Sequence, residues 1–404
     1  LTDSMRIELS GGWEYRWGDS PKDGQGIPEW TYKGINNPEW KPMELPGWAT
    51  DRKDRNYLWQ RVTLPEGSWR DPSIFTLGPF LYFEVYLDNE VLYRSGNPDI
   101  PVDIRLTGTP WHLIHLPLDF QGKMLYFRIY SNYYLIGIND RVFLGSHAEN
   151  IKYMIVRDMD RIITGALCIF LGLFSLSLYL RNRNLKEFLS FGFFAFWVGI
   201  YIIRYTQIKQ FFTDFHSLWT YLWLFSLFII PIGIIAFIEQ TFGAGFKSII
   251  RRLWQVHIGI SVFSLSLIFI SFHRFAIAGI TAIRILYIVY MLLIIITLLI
   301  HALKGNFEAI IFLIGFGFLG VFGLYDIFVG FGLIGSSRPI AHLGMFAFTL
   351  TLSVIILRRL IEMHSNVKRY SRRVETMSRE KEKMISELHD GIGGIMTNIN
   401  LLAE

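Results

Sequence analysis

Seven apolar runs crowd into the stretch between residues 162 and 357, at 162–180, 188–204, 218–238, 256–272, 277–299, 309–331 and 340–357. Each comes close to the roughly 20 residues that an α-helix needs to cross a bilayer core. A backbone immersed in lipid must satisfy its own polar groups, so runs of this length become spanning helices. The connections are short, which favours a bundle of antiparallel neighbours.

Orientation follows from the loops. The first, third and fifth, with the tail, carry Arg181, Arg183, Lys186, Lys247, Arg251, Arg252, Lys304, Arg358 and Arg359. The other side offers little beyond Lys209, Arg274 and Arg338. By the positive-inside rule the first group faces the cytoplasm and the N-terminal residues lie outside. An odd number of spans puts the two ends on opposite sides, the geometry of a receptor. The same placement accounts for the net charge of +5 without nucleic acid as a partner. Cys168 is the sole cysteine and lies in an apolar run, so the outer residues hold together without disulfides. The chain does not begin with Met and shows no signal peptide; a mature or trimmed start is expected.

Inside the apolar section two charges stand out, Arg284 and Asp326. Charges at depth need a partner or water. Either the two pair between neighbouring helices or each reaches the outer interface separately. Gly315, Gly317 and Gly320 fit a dinucleotide-binding spacing, but that motif needs a strand before it and water around it. Close helix packing is the expectation instead. Pro231 should kink the third span, with neighbours satisfying the freed carbonyl.

Residues 1–150 read as β-structure, with strands near 57–64, 74–77, 81–87, 90–94, 111–116, 123–130 and 141–144. Asp88-Asn89 marks a hairpin. An antiparallel sandwich is the economical solution. Trp13, Trp17, Trp30, Trp40, Trp48, Trp59, Trp69 and Trp111 could serve as platforms for sugar faces, although core filling is the expectation for any one of them. Glu14, Glu84 and Asp88 could be cast as paired carboxylates, yet nothing in their spacing requires it. No metal site is expected. The stretch LYFEVYLDNEVLYRSG, residues 81–96, and the opening Gly11-Gly12-Trp13-Glu14-Tyr15 resemble the sugar-binding jelly rolls that accompany glycoside hydrolases.

Beyond Arg358 the chain turns highly charged. Leu360, Met363, Val367, Tyr370, Val374, Met377, Lys381, Met384 and Leu388 alternate in steps of three and four, the seam of a parallel two-stranded coiled coil continuing the last span. Lys381 is a polar seam residue of the kind that fixes register. The seam then steps to Ile392, Ile395, Ile399 and Leu402. Successive four-residue steps form a stutter, which unwinds a coiled coil locally, here beside His389. Lys368, Arg369, Arg372 and Arg373 read as an inside anchor.

The string Glu387-Leu388-His389-Asp390-Gly391-Ile392-Gly393-Gly394 closely resembles the phosphoacceptor box of bacterial sensor histidine kinases, in the class that includes nitrate sensors and the membrane-fluidity thermosensor. The resemblance implies that His389 takes the phosphoryl group from ATP, with Asp390 as general base and Glu387 as a supporting carboxylate. That family usually has Gln where this chain has Gly394, which speaks against phosphatase action by the family's route. A jelly-roll sensor, seven spans and a signalling coil together resemble the bacterial seven-transmembrane receptors with diverse intracellular signalling modules. Those are thought to sense an exported ligand, often carbohydrate.

The expected fold class is therefore multidomain. An extracytoplasmic all-β jelly-roll sandwich occupies 1–150, a seven-helix transmembrane bundle 151–357, and a coiled-coil signalling helix 358–388. Residues 385–404 would open the four-helix dimerisation bundle of a histidine kinase. The coiled-coil seam implies a homodimer, and the resemblance implies a place in the bacterial inner membrane, a two-component relay to a cytoplasmic response regulator, and use of ATP and Mg2+. An ATP-binding domain does not fit after His389, so a fragment of a longer kinase is expected. The competing expectation is a non-enzymatic receptor or carbohydrate-binding module signalling through a partner protein. A transporter would show an internal repeat with broken helices, and none is visible.

Overall fold

The computed structural model describes residues 5–33, 38–78, 82–97, 110–132, 136–138, 140–213, 216–270, 272–330, 333–334 and 338–403. It divides into two units, Leu1–Ile296 and Thr297–Glu404. Among the described residues ten strands come first: β1 (Ile7–Glu8), β2 (Trp13–Trp17), β3 (Lys41–Met43), β4 (Tyr57–Thr63), β5 (Pro72–Leu77), β6 (Tyr82–Leu87), β7 (Glu90–Ser95), β8 (Trp111–His115), β9 (Met124–Tyr130) and β10 (Val142–Ser146). Helices follow: α1 (His147–Arg181), α2 (Lys186–Arg204), α3 (His216–Phe242), α4 (Ile249–Ile270), α5 (Phe272–Leu303), α6 (Phe307–Gly330) and α7 (Ala341–Ala403). Seven helices among the described residues are long and apolar enough to cross a membrane.

The strands form two antiparallel sheets, ordered β1-β10-β5-β8 and β3-β2-β4-β9-β6-β7. Side chains alternate across a strand, and each sheet uses both faces. Leu58, Val62, Phe83, Val85, Leu125, Phe127 and Ile129 of the larger sheet meet Ile74, Ile114, Val142 and Leu144 of the smaller in the sandwich core. The alternate residues Trp59, Tyr86 and Tyr126 face outward, where Trp30 and Trp40 cover them. The outer side of the smaller sheet, with Phe75 and Phe143, is covered by Ile151, Tyr153 and Met154 of α1. Double coverage explains why β4, β5 and β9 are buried almost throughout where a half-exposed strand would alternate. Asp88, at φ 51°, makes the β6–β7 turn, as the Asp-Asn pair indicated.

In the first unit α1 packs on α2, α2 on α3 and α3 on α4. Gly165 and Gly172 of α1 face Gly199 and Gly192 of α2. A Cβ at Gly199 would lie 2.6 Å from the Gly165 oxygen, and one at Gly172 2.6 Å from the Phe196 nitrogen. The two backbones touch, the usual small-residue geometry of membrane helices. Leu224 and Phe228 of α3, Ile268 of α4 and Ile283 of α5 share a core. Pro231 sits inside α3 and cannot donate to the Leu227 carbonyl one turn back. The Tyr287 hydroxyl donates to that oxygen instead. His257 Nε2 (2.9 Å) and Ser261 (3.3 Å) donate to the neighbouring Phe228 carbonyl. The freed carbonyl is satisfied by neighbours, as Pro231 requires.

In the second unit α6 packs on α7. Of the three glycines read as a packing motif, Gly315 abuts Phe348 and Thr351, whereas a Cβ at Gly317 or Gly320 would meet nothing within 4 Å. Gly344 supplies the second close approach, where an added Cβ would lie 3.2 Å from the Phe318 oxygen. Asp326 has a partner that its depth in an apolar run did not indicate. Its carboxylate accepts from the backbone N–H groups of Ile340 (2.6 Å) and Ala341 (2.9 Å). It thereby caps the start of α7, where orphan donors and the positive end of the helix dipole favour a carboxylate. The Arg284 side chain, its proposed partner, lies outside the described residues.

Candidate functional site

Register builds a polar site on the outer face of the larger sheet. Glu84 on β6 stands directly opposite Arg128 on β9 and Arg94 on β7. Glu84 and Arg128 are both buried. Glu84 accepts from Arg128 (3.0 Å), Arg94 (3.0 Å) and the Tyr86 hydroxyl (2.7 Å). Arg128 also holds Asp19 in a two-pronged contact, at 2.7 and 2.5 Å, the planar fork geometry suited to a carboxylate. Burial, and then the adjacent Glu84, push the Tyr86 phenol up from its ordinary pKa. Lys22, Glu84, Tyr86, Asn89, Arg94 and Asn97 line a cleft of about 330 Å³ above this network. Donors and acceptors of fixed position beside an aromatic ring suit a small polar ligand.

The three carboxylates considered as a pair have separate structural work. Glu14 bonds Arg61 at 2.7 Å, Glu84 belongs to the network above, and Asp88 accepts from the Met124 N–H at 3.0 Å. Trp13, Trp40, Trp59 and Trp69 are buried, whereas Trp48 is exposed.

Two joints tie the sandwich to the membrane helices. At the first, β10 runs without a loop into α1. Ser146 caps the helix through the Glu149 N–H, a Ser-x-x-Glu start of capping-box type. Asn150 is fully buried; it donates to the Ser73 carbonyl at 3.1 Å and accepts from Arg6 at 2.9 Å. The Arg6 guanidinium lies 3.5 Å from the ring centres of both Phe143 and Tyr153, a desolvated cation–π arrangement. The helix thus begins at His147, far ahead of the apolar run at 162, because its first turns are bonded to the sheet.

The second joint lies at the free edge of the smaller sheet. The Gln210 side chain accepts from the Trp111 N–H and donates to the Trp111 carbonyl, each at 2.9 Å. It mimics a neighbouring strand at the unpaired edge of β8. The Trp111 indole donates to the Gln207 carbonyl at 2.9 Å and packs on Phe211. Gln207 and Gln210 belong to the α2–α3 connection. Asp158 of α1 accepts from the Gln207 N–H. Lys209 donates to the Arg204 and Thr206 carbonyls, and burial, with Arg204 beside it, pushes its ammonium down to about 8. Gln210→Ala removes two hydrogen bonds, each worth roughly 1 kcal/mol net. Amide exchange across residues 206–213 and at Trp111 is expected to rise by about tenfold or more, while β9 stays protected. Equal exchange in both proteins would deny the joint its role.

On the output side, Glu387, His389 and Asp390 fall within a single turn of α7. Glu387 is exposed, 3.8 Å from Lys383; the His389 and Asp390 side chains lie outside the described residues. Val367, Tyr370, Val374, Met377, Met384 and Leu388 are all exposed, so from Val367 to Leu388 these seam residues have no cover among the described residues. No residue pattern indicates the Trp111–Gln210 joint or the Asp326 cap. Both join segments through backbone groups, which carry no residue signature.

Residues 159–359, just under half of the chain, match the family described as 7TM diverse intracellular signalling. No curated protein matches the sequence. Among solved structures, a β-glucuronidase of Parabacteroides merdae is 15% identical, with 35% of this chain and 22% of the enzyme covered at a TM-score of 0.26. A putative β-galactosidase from Bacteroides fragilis is 13% identical over 35% and 23%, at 0.25. A family 2 β-galacturonidase from Eisenbergiella tayi, bound to galacturonate, is 12% identical over 35% and 24%, at 0.24. The chain spans less than a quarter of the length of these enzymes, and scores of that size assign neither fold nor ligand. The seven apolar helices and the family match agree: this is a multi-pass membrane protein whose residues 159–359 match the seven-transmembrane part of a signalling receptor.

Proposed function

We propose that the chain is the sensing and membrane portion of a two-component sensor histidine kinase in a bacterial inner membrane, with residues 1–150 outside and α7 entering the cytoplasm. The observation that carries this reading is α7 itself. It continues unbroken from Ala341 to Ala403, from the last span through the apolar seam to the His389 box. An exposed seam of heptad spacing is best covered by the same seam of a second copy, which makes the receptor a homodimer. A small polar ligand, with carbohydrate as the first class to try, would bind over Glu84, Arg94 and Tyr86. Displacement of the sandwich would reach the helices through the β10–α1 and Trp111–Gln210 joints.

In this reading a ring nitrogen of His389 attacks the terminal phosphoryl group of ATP. The N–P bond forms, the bond to ADP breaks, and Asp390 accepts the ring proton. Glu387 supports the charge on the histidine. ATP and Mg2+ belong to a domain outside these 404 residues, and a response regulator receives the phosphoryl group. The test is labelling with γ-phosphate-labelled ATP in membranes from cells that express the protein from its own gene. His389→Gln should abolish acid-labile labelling, and Asp390→Asn should slow it by about 10²-fold or more. Undiminished labelling of His389→Gln would remove the kinase reading and favour a receptor that works through a partner.

A further inference from the structure

Three residues distant in sequence meet at the joint where β10 becomes α1. The β10 and β8 strands flank β5 on either side. At the first end of β5, Pro72 is paired with Ser146 and Ser73 with His115. Asp71 precedes β5, and His147 follows β10, its N–H donating to the Asp71 carbonyl at 2.9 Å. The consequence of this register is that Asp71, His115 and His147 converge, with one potential ligand atom of each within 4.8 Å of the others.

We propose that Asp71, His115 and His147 form a binding site for a divalent transition-metal ion of the Zn2+ type. Two imidazoles and a carboxylate suit Zn2+, with water in the fourth position. Ligands about 2.05 Å from a tetrahedral ion stand about 3.3 Å from one another. His115 Nδ1 and Asp71 Oδ1 are 3.3 Å apart, so one edge of that tetrahedron is already set. His147 Nδ1 is buried and has no hydrogen-bond partner among the described residues. A buried ring nitrogen left in that state is costly, and an ion satisfies it. The two rings are stacked, 4.8 Å between centres and 14° between planes. Binding turns them out of the stack so that one nitrogen of each faces the ion. His115 and Asp71 are exposed and half-buried His147 sits at the surface end of the helix, which leaves room for that rotation.

The position gives the site a consequence. His147 is the first residue of the first spanning helix, and the other two ligands belong to the sandwich. An ion here bonds the sheet to α1 across the joint that any movement of the outer domain must cross. This inference is independent of the kinase reading.

The experiment uses the tag-free full chain in detergent, dialysed against buffered Zn2+. One ion per chain is expected in the native protein, with a rise in the unfolding midpoint that grows with free Zn2+. His115→Gln and Asp71→Asn change exposed side chains, so both should fold. Each should weaken binding by more than about 100-fold, the upper end of what the loss of an outer-shell partner costs a metal site. A second measurement needs no variant: Zn2+ should protect His115 and His147, alone among the ten histidines, from acylation by diethyl pyrocarbonate. Absence of binding, binding unchanged in both variants, or protection spread over other histidines would overturn the site.

Discussion

Arg128→Met is expected to destabilise the outer β-domain by about 3–5 kcal/mol, the usual cost of leaving a buried charge without its partner. Arg128 is 1% exposed and joins Asp19 to Glu84. Met fills most of the arginine's volume, so the loss comes from two carboxylates rather than from a cavity. Glu84 keeps Arg94 and Tyr86, and Asp19 keeps a 3.3 Å contact from the Trp59 indole. Neither replaces the fork. Adding Asp19→Asn and Glu84→Gln to Arg128→Met should recover part of the stability, because neutral amides are cheaper to bury than unpaired charges. Denaturant unfolding followed by tryptophan fluorescence reads the domain directly, since Trp59 and Trp40 lie in the adjoining cluster. A change below about 1 kcal/mol, the range of an exposed ion pair, would mean that water reaches the network.

Gly199→Leu is expected to have a comparable effect in the membrane. The new side chain begins 2.6 Å from the Gly165 oxygen and 2.8 Å from the Ile169 nitrogen, and backbone cannot step aside as a flexible side chain does. Overpacking commonly costs about 1–3 kcal/mol, and here α1 and α2 must separate along their shared face. The folded fraction extracted in mild detergent should fall several-fold and the remainder should melt earlier. Gly259→Leu on α4 serves as the comparison, because a Cβ there meets nothing within 4 Å. Equal behaviour of the two variants would contradict the α1–α2 packing.

Much of this architecture is legible in the sequence, for reasons that differ by element. Strands near 57–64, 111–116 and 123–130 declare themselves through β-branched and aromatic runs between turns, and β4, β8 and β9 follow them closely. β1 and β3 are too short to carry a period. The apolar runs mark the spans but not their helices. α1 starts at His147 because its first turns pack on Phe75 and Phe143, and a hydropathy window sees only the part immersed in lipid. The Gly-x-Gly-x-x-Gly spacing was one-third informative: Gly315 packs on α7, and Gly317 and Gly320 do not. A glycine pattern states where close approach is allowed, not where it happens. Asp71, His115 and His147 could not be grouped from spacing at all, since strand register brings them together.

In the proposed relay α7 carries the signal as one continuous helix from the membrane to His389. Insertions of one to seven residues at Ser371, read out as ligand-dependent phosphorylation of His389, test this most directly. Each inserted residue rotates the output by about 100°, whereas seven restore the heptad phase of the seam. Regulation that is lost with one, two or three residues and returns with seven is the predicted result. Regulation indifferent to the length of the insertion would contradict a helical relay.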